Sequence, residues 1–313
     1  MSTRVRFKSV LTSISVALLA VLGCDGGGGG GNGDPAVRLP VPDIDGIDVQ
    51  EVVFDNRLGD PIQAAYLVPD RSKPMPAVIV LHGAGGLYDE PSGNDEHEFG
   101  PQFEEWAGLL YQEGYAVIMP ASFFSRGFYE WNDAPDNLDT EDRLVYRVYD
   151  AYAALDFACR QPEIDCDRVA VMGFSNGGSA STLVMHERLR EVERMGDLAA
   201  DGPRFALSIP YYPGCGWKGW ISLNLDEPDE FYFPYGPVYM HHAADDSLVD
   251  DCERRLEQTE MLTNMRNESE NPFHMHIYDS VDHGFDSSPN DSREESARDD
   301  ARVRTLELLA NEL

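Results

Sequence analysis

The sequence predicts an α/β fold in which a mostly parallel central sheet is flanked by helices. Three observations carry this. Short continuous apolar runs, Ala77-Val-Ile-Val-Leu81, Tyr115-Ala-Val-Ile-Met119 and Val169-Ala-Val-Met172, read as strands buried on both faces. Segments of helical period separate them, the alternation that builds parallel sheets. Glycine-rich turns follow two of the runs, His82-Gly-Ala-Gly-Gly86 and Gly173-Phe-Ser-Asn-Gly-Gly178. Sheets of this kind place their sites at the carboxyl ends of strands.

The N-terminus stands apart. Arg4, Arg6 and Lys8 precede an apolar run of 13 residues, Val10 to Leu22, which suits a signal peptide better than a membrane span. Val21-Leu-Gly-Cys24 resembles a bacterial lipobox, so residues 1–23 are expected to be removed and Cys24 lipidated. Six consecutive glycines, Gly26 to Gly31, then make residues 24–45 a tether. Its stretch of about 10 residues would span about 16–19 Å. Residues 46–313 remain for one folded domain, anchored to a membrane only through its lipid.

Val49–Phe54 and Ile62–Val68 alternate as a hairpin around Asn56–Asp60. After the strand at Ala77–Leu81, Phe103, Trp106, Leu109 and Leu110 mark a helix that Gly114 stops. A longer helix carries Leu144, Val148, Ala151, Leu155 and Ala158 on one face. The strand Val169–Met172 leads into the Gly173–Gly178 turn, with a helix expected from about Ser179. Strands are expected at Phe205–Ile209, Val238–His242 and His274–Tyr278, and helices near Glu253–Met265 and from about Glu295.

Charge excludes some partners. The formal net charge is -32, and removing residues 1–23 takes away three positive charges and no negative ones, leaving about -35. Such a surface repels nucleic acid and anionic headgroups. Four cysteines follow Cys24, and an even count in an exported chain favours disulfides with three possible pairings. Cys159–Cys166 would close a small loop before the central strand; Cys215–Cys252 would tie the segment after one strand to the helix after the next. The spacing a zinc site needs is absent.

Gly173-Phe-Ser-Asn-Gly177 after a strand and before a helix is the context of a nucleophile elbow. A serine needs a base, and the base an orienting acid, in the order Ser, acid, His. Ala243-Ala-Asp-Asp246 and Asp282-His-Gly284 both follow strands in that order. Ser175 is therefore the expected nucleophile, His283 the base and Asp245, favoured over Asp246, the acid. Asp250 and Asp251 read as helix-start acids, and His241 and His242 as packed in their strand rather than catalytic; His186 falls in a charged helical stretch and His276 in a strand. Oxyanion donors are expected from the N–H of Asn176 and from Ala84 or Gly85, between which sequence does not choose. His82 is expected to brace that loop. Asp89, Glu90, Asp95, Glu96, His97 and Glu98 follow no ligand spacing and read as a solvated acidic loop.

These residues resemble the dienelactone hydrolase family of α/β-hydrolases over about residues 76 to 285. The resemblance rests on Leu81-His-Gly-Ala-Gly-Gly-Leu87, Gly173-Phe-Ser-Asn-Gly-Gly178, Tyr212-Pro-Gly-Cys215, Ala244-Asp-Asp246 and Asp282-His-Gly-Phe285. Ser122-Phe-Phe-Ser-Arg-Gly127 is similar too, although Ala121 stands where the family usually has Asp. It implies the α/β-hydrolase fold and the pairing of Cys215 with Cys252. The name-giving enzymes use a cysteine where this chain has Ser175, which implies a general ester hydrolase acting on a small-molecule ester. A peptidase, an acyltransferase and a silent binding protein on the same fold are the competing readings. No metal or organic cofactor is implied. Phe123, Phe124, Phe128, Tyr129 and Trp131, and Trp217, Trp220, Phe231, Tyr232, Phe233 and Tyr235, are aromatic groups that would line a pocket or simply pack.

Overall fold

A computed structural model describes residues 44, 46–70, 72–89, 98–134, 140–189, 195, 198, 202–217 and 231–313. The signal segment, Cys24, the glycine tether, Glu90 to His97 and Trp220 lie outside the described residues. The described residues belong to one compact unit, Arg38–Leu313.

Eight strands form one sheet: β1 (Val49–Asp55), β2 (Pro61–Leu67), β3 (Met75–Leu81), β4 (Ala116–Pro120), β5 (Ile164–Phe174), β6 (Leu207–Tyr211), β7 (Val238–Ala243) and β8 (Phe273–Tyr278). Their order is β1-β2-β4-β3-β5-β6-β7-β8. β1 and β2 form the expected hairpin, with Phe54 opposite Ile62, and β2 runs antiparallel to β4. From β4 to β8 every pairing is parallel. The helices are α1 (Pro101–Gln112), α2 (Thr140–Ala158), α3 (Asn176–Leu183), α4 (Val249–Arg266) and α5 (Ser292–Glu312).

Alternation along the central strands sorts the core into two layers. Ala77, Ile79, Leu81, Val169 and Val171 pack with Leu144, Val148 and Leu155 of α2, Leu183 of α3 and Cys252 of α4. Val78, Val80, Ala170 and Met172 pack on the other face with Phe103 and Trp106 of α1 and Ala301 and Leu309 of α5. Central residues are apolar at every position because both faces are covered.

Several boundaries moved, two of them for reasons the contacts show. α3 begins at Asn176, not Ser179, because Gly177 and Gly178 are helical: their missing side chains let the helix press on neighbouring backbone. A Cβ on Gly177 would strike the carbonyls of Leu81 and His82, and one on Gly178 would sit 2.7 Å from the Tyr211 carbonyl. α5 begins at Ser292, not Glu295, because the Asp291 carboxylate accepts from the N–H groups of Arg293 and Glu294 as an N-cap.

The chain leaves β3 for β4 on one side and returns to β5 on the other, so strand order reverses between β3 and β5. At such a switch point the loops beyond the strand ends diverge and open a crevice. Here those loops are His82–Gly86 and the turn at Ser175.

Candidate active site

Ser175 occupies a strained turn. Its φ of 51° and ψ of −112° place a non-glycine residue where backbone strain accompanies function. Surrounding structure imposes it: Ser175 N–H donates to the Tyr211 carbonyl (2.9 Å), and the Ser175 carbonyl accepts from Ser179 N–H (2.9 Å). Gly173 is required too, since a Cβ there would overlap the Gly177 carbonyl. The side chain thus stands at the N-terminus of α3, where the helix dipole favours developing negative charge.

His283, on the loop after β8, lies against this hydroxyl, with Nε2 2.8 Å from Ser175 Oγ. Its other ring nitrogen, Nδ1, is 2.6 Å from Asp246 Oδ2. A carboxylate only accepts, so Nδ1–H donates to Asp246 and Nε2 is left to accept from the serine. The carboxylate that meets His283 is therefore Asp246, which corrects the expectation of Asp245. Asp246 N–H closes a turn on the Ala243 carbonyl (3.3 Å), which swings the Asp246 carboxylate inward, and Leu248 N–H donates to its Oδ1 (2.9 Å). Asp245 instead donates its N–H to the Val281 carbonyl (3.2 Å) and points its side chain to solvent. Burial alone would raise the Asp246 pKa, but the bonds from His283 and Leu248 outweigh it and hold the carboxyl below its ordinary value.

His242 backs this acid from the strand, with Nδ1 3.8 Å from Asp246 Oδ2. Ala243 N–H donates to Nδ1 (3.0 Å), so Nε2–H is the donor to the Pro213 carbonyl (3.2 Å). Burial pulls its pKa down and keeps the ring neutral. His241 and His186 are buried as well, the first between Tyr278 and Thr305, the second against the Phe233 backbone. His276 lies on β8 near Asp300. His241 and His242 are packed and His276 lies in a strand, as expected, whereas His186 falls beyond the end of α3, at a bridge to Pro234, rather than in a helix.

The His82–Gly86 loop flanks the elbow. A Cβ built on Gly83 would lie 3.7 Å from Ser175 Cβ. Gly86 N–H closes the turn on the Gly83 carbonyl (3.2 Å), and Trp131 N–H donates to the Ala84 carbonyl (2.7 Å). Gly86 has a φ of 86°, and a Cβ there would overlap the Tyr129 carbonyl, so only glycine fits. His82 braces the loop from below: it is fully buried, and Arg147 Nη1 reaches its ring at 2.7 and 2.9 Å while Nη2 donates to its carbonyl (2.5 Å). Burial, then the charge of Arg147, drive the His82 pKa well down. Arg147 itself is pushed down to about 9 by burial. Asn176 N–H, at the first turn of α3, and the 83–85 backbone thus border Ser175 from two sides.

Sequence reading overlooked Arg147. It sits beside Val148 on the inner face of α2, so a charged residue within an apolar stripe was the available signal. Asp150, one turn on, is also fully buried and takes Arg126 at 2.7 and 3.0 Å. That ion pair anchors the Ser122–Gly127 segment. The two aromatic groups divide. Phe123 and Phe128 are buried together with Trp131 packed against them, near the loop. Trp217 and Tyr232 are core residues instead, with Tyr232 donating to the Thr182 carbonyl (2.8 Å). Among the described residues no group of three or more His, Cys, Asp or Glu is placed to hold a metal.

Both anticipated disulfides are present. Cα–Cα distances of 4.7 Å for Cys159–Cys166 and 5.0 Å for Cys215–Cys252 lie in the normal range. The second bridge ties the segment after β6 to α4, just beyond Asp246.

A family model described as the dienelactone hydrolase family matches residues 62–313. Part of the chain is 31% identical over 133 residues to acylamino-acid-releasing enzyme 1 of Oryza sativa subsp. japonica, covering 41% of this chain but only 15% of that protein. Among solved structures, a candidate dienelactone hydrolase from Klebsiella pneumoniae matches with a TM-score of 0.61 at 20% identity, over 85% of this chain and 99% of the other. A thermophilic esterase from Thermogutta terrifontis matches with a TM-score of 0.57 at 14% identity, over 87% and 96%. A dienelactone hydrolase-like promiscuous phosphotriesterase from metagenomic libraries matches with a TM-score of 0.54 at 18% identity, over 85% and 98%. At these identities the structural matches speak for the fold.

Proposed function

The chain belongs to the dienelactone hydrolase family, and from that premise we propose that it is a serine carboxylesterase that cleaves small esters through an acyl-enzyme. The observation that carries the reading is the continuous relay Ser175 Oγ–His283–Asp246, with spacings of 2.8 and 2.6 Å. Ser175 Oγ attacks the ester carbonyl carbon while Nε2 of His283 takes its proton. Asp246 holds the ring in the tautomer that leaves Nε2 free and stabilises the imidazolium that forms. The N–H of Asn176 and a donor from residues 83–85 bind the oxyanion; each such donor is worth about 3 kcal/mol in the transition state. Collapse returns the proton from Nε2 to the departing alkoxide. Water then repeats the sequence on the acyl-enzyme and releases the acid.

A second reading, cleavage of acylated peptides, draws on the local similarity to the rice acylamino-acid-releasing enzyme. The two separate in one experiment: p-nitrophenyl esters of increasing acyl length and N-acyl aminoacyl p-nitroanilides, with a fluorophosphonate probe and Ser175→Ala as control. Ester turnover with probe labelling, both abolished in the control, is expected. Absence of turnover and labelling in the wild type would sink the hydrolase reading. Turnover of anilides alone would favour the peptidase. We further propose that the protein is exported and tethered by a lipid on Cys24, on the grounds of the basic, apolar and Leu-Gly-Cys pattern of residues 4–24. Cys24→Ser should then move the protein from the membrane to the soluble fraction.

A further inference from the structure

The chain does not leave the site at His283. Gly284 follows with a φ of 79°, and the chain then enters the core at Phe285 and Asp286. Both are essentially inaccessible, at 1% exposure. The Asp286 carboxylate collects only neutral donors. Tyr212 O–H donates to Oδ1 (2.5 Å), Gln102 Nε2–H also donates to Oδ1 (2.9 Å), and Trp106 Nε1–H donates to Oδ2 (3.3 Å). Gln102 Nε2–H is in addition 2.9 Å from the Tyr212 oxygen. Burial raises the Asp286 pKa against the pull of these bonds and of the nearby Arg302 charge, and an apolar plug such as Phe285 would close the loop more cheaply.

Tyr212 links this group to the chemistry. It follows β6 at a φ of 35°, held there by its N–H on the His241 carbonyl (2.7 Å). Its ring lies 4.8 Å from the His283 ring at 63°, and its hydroxyl is fixed on Asp286. Fixed at its hydroxyl, the Tyr212 ring is a rigid wall for the His283 imidazole to rest against.

We propose that Asp286 is a positioning residue for His283, acting through the Tyr212 hydroxyl and ring to hold the imidazole on Ser175. His283 thereby answers to two carboxylates, Asp246 directly and Asp286 through an aromatic ring. The other titratable groups facing Asp286 are Tyr211 at the end of β6 and Arg302 of α5, the latter engaged by Glu105 at 2.5 Å. Those facing His283 are Asp246, Tyr212 and His242.

The kinetic arm of the test rests on the esterase reading; a spectroscopic arm does not. Asp286→Asn and Tyr212→Phe are compared with wild type in the full chain for kcat and KM on p-nitrophenyl acetate, for the His283 Nδ1–H proton signal by NMR, and for Tm. Each variant should lose about threefold to tenfold in kcat, the scale of one hydrogen bond, with KM within twofold, and should shift or broaden the Nδ1–H signal as the imidazole loosens. Unchanged kcat and an unchanged Nδ1–H signal in Tyr212→Phe would overturn the proposal, whatever happens to Tm. Should Asp286→Asn not fold, Tyr212→Phe alone decides, because it keeps the ring in place and removes only the hydroxyl. If the wild type cleaves no ester, the functional reading fails, and the Nδ1–H signal still decides the role of Asp286.

Discussion

Asp246→Asn preserves shape and removes one acceptor. In the native site Oδ2 accepts from His283 Nδ1–H at 2.6 Å and Oδ1 accepts from Leu248 N–H at 2.9 Å. An amide has a single oxygen. If it faces Leu248, the amide N–H₂ points at Nδ1 and inverts the tautomer, placing Nε2–H against Ser175 where a base is required. If it faces His283, two N–H groups collide at Leu248, a buried mismatch that costs about 1–3 kcal/mol. Either outcome removes the charge that stabilises the imidazolium. A tautomer inversion of this kind lowers kcat about 10⁴-fold, or ~5.5 kcal/mol at about 1.36 kcal/mol per decade. The assay is kcat on p-nitrophenyl acetate for Asp246→Asn and Asp245→Asn in parallel. The second, exposed and bonded only through its backbone, should stay within about twofold of wild type, by the small effects usual at surface sites. Equal losses in the two variants, or less than about tenfold for Asp246→Asn, would refute the reasoning. The native pKa of Asp246 is lowered, so its contribution to stability is present above its unfolded value and lost as pH falls through the folded one. The stability gap between wild type and Asp246→Asn should therefore narrow in acid.

Three further outcomes follow from the same geometry. Gly177→Ala drives a methyl into the Leu81 and His82 carbonyls; it should cost at least about 2 kcal/mol in urea unfolding and slow fluorophosphonate labelling, because the displaced loop flanks Ser175. Replacing Cys215 and Cys252 with Ser opens the longer loop, of sequence separation 37, and should cost ~4 kcal/mol, against ~2.5 kcal/mol for Cys159 and Cys166 with separation 7; a reversed order would show that loop length is not the dominant effect. Burial pushes His241 down to about 3 from an ordinary 6.5, so the unfolded chain takes up a proton that the folded protein refuses. Stability should fall as pH drops from about 6.5 toward 3, by roughly 4 kcal/mol from this group, and His241→Gln should flatten that slope in pH-resolved thermal melts.

The sheet was legible because burial on both faces leaves no polar position, and Ala77–Leu81 and Val169–Met172 show that signature directly. Ser175 and His283 were legible because the chemistry needs a small-residue turn after a strand and a glycine beside the base. Helix starts were less so: α3 includes two glycines that propensity would exclude, and their helical conformation comes from contact with Leu81, His82 and Tyr211 rather than from local preference.

By itself, then, the sequence determined the layer architecture, the strand–turn–helix around Ser175, the placing of His283 after the last strand and the pair of aspartates from which its partner comes. Tertiary structure decided the rest. Asp245 and Asp246 are chemically identical neighbours, and only the turn closed on Ala243 selects which carboxylate faces inward. Arg147 under the His82 loop and Asp286 beyond His283 are bound to partners far along the chain, so no local pattern announces them. Periodicity records which side of an element is buried; it holds no information about which distant donor a buried charge will meet.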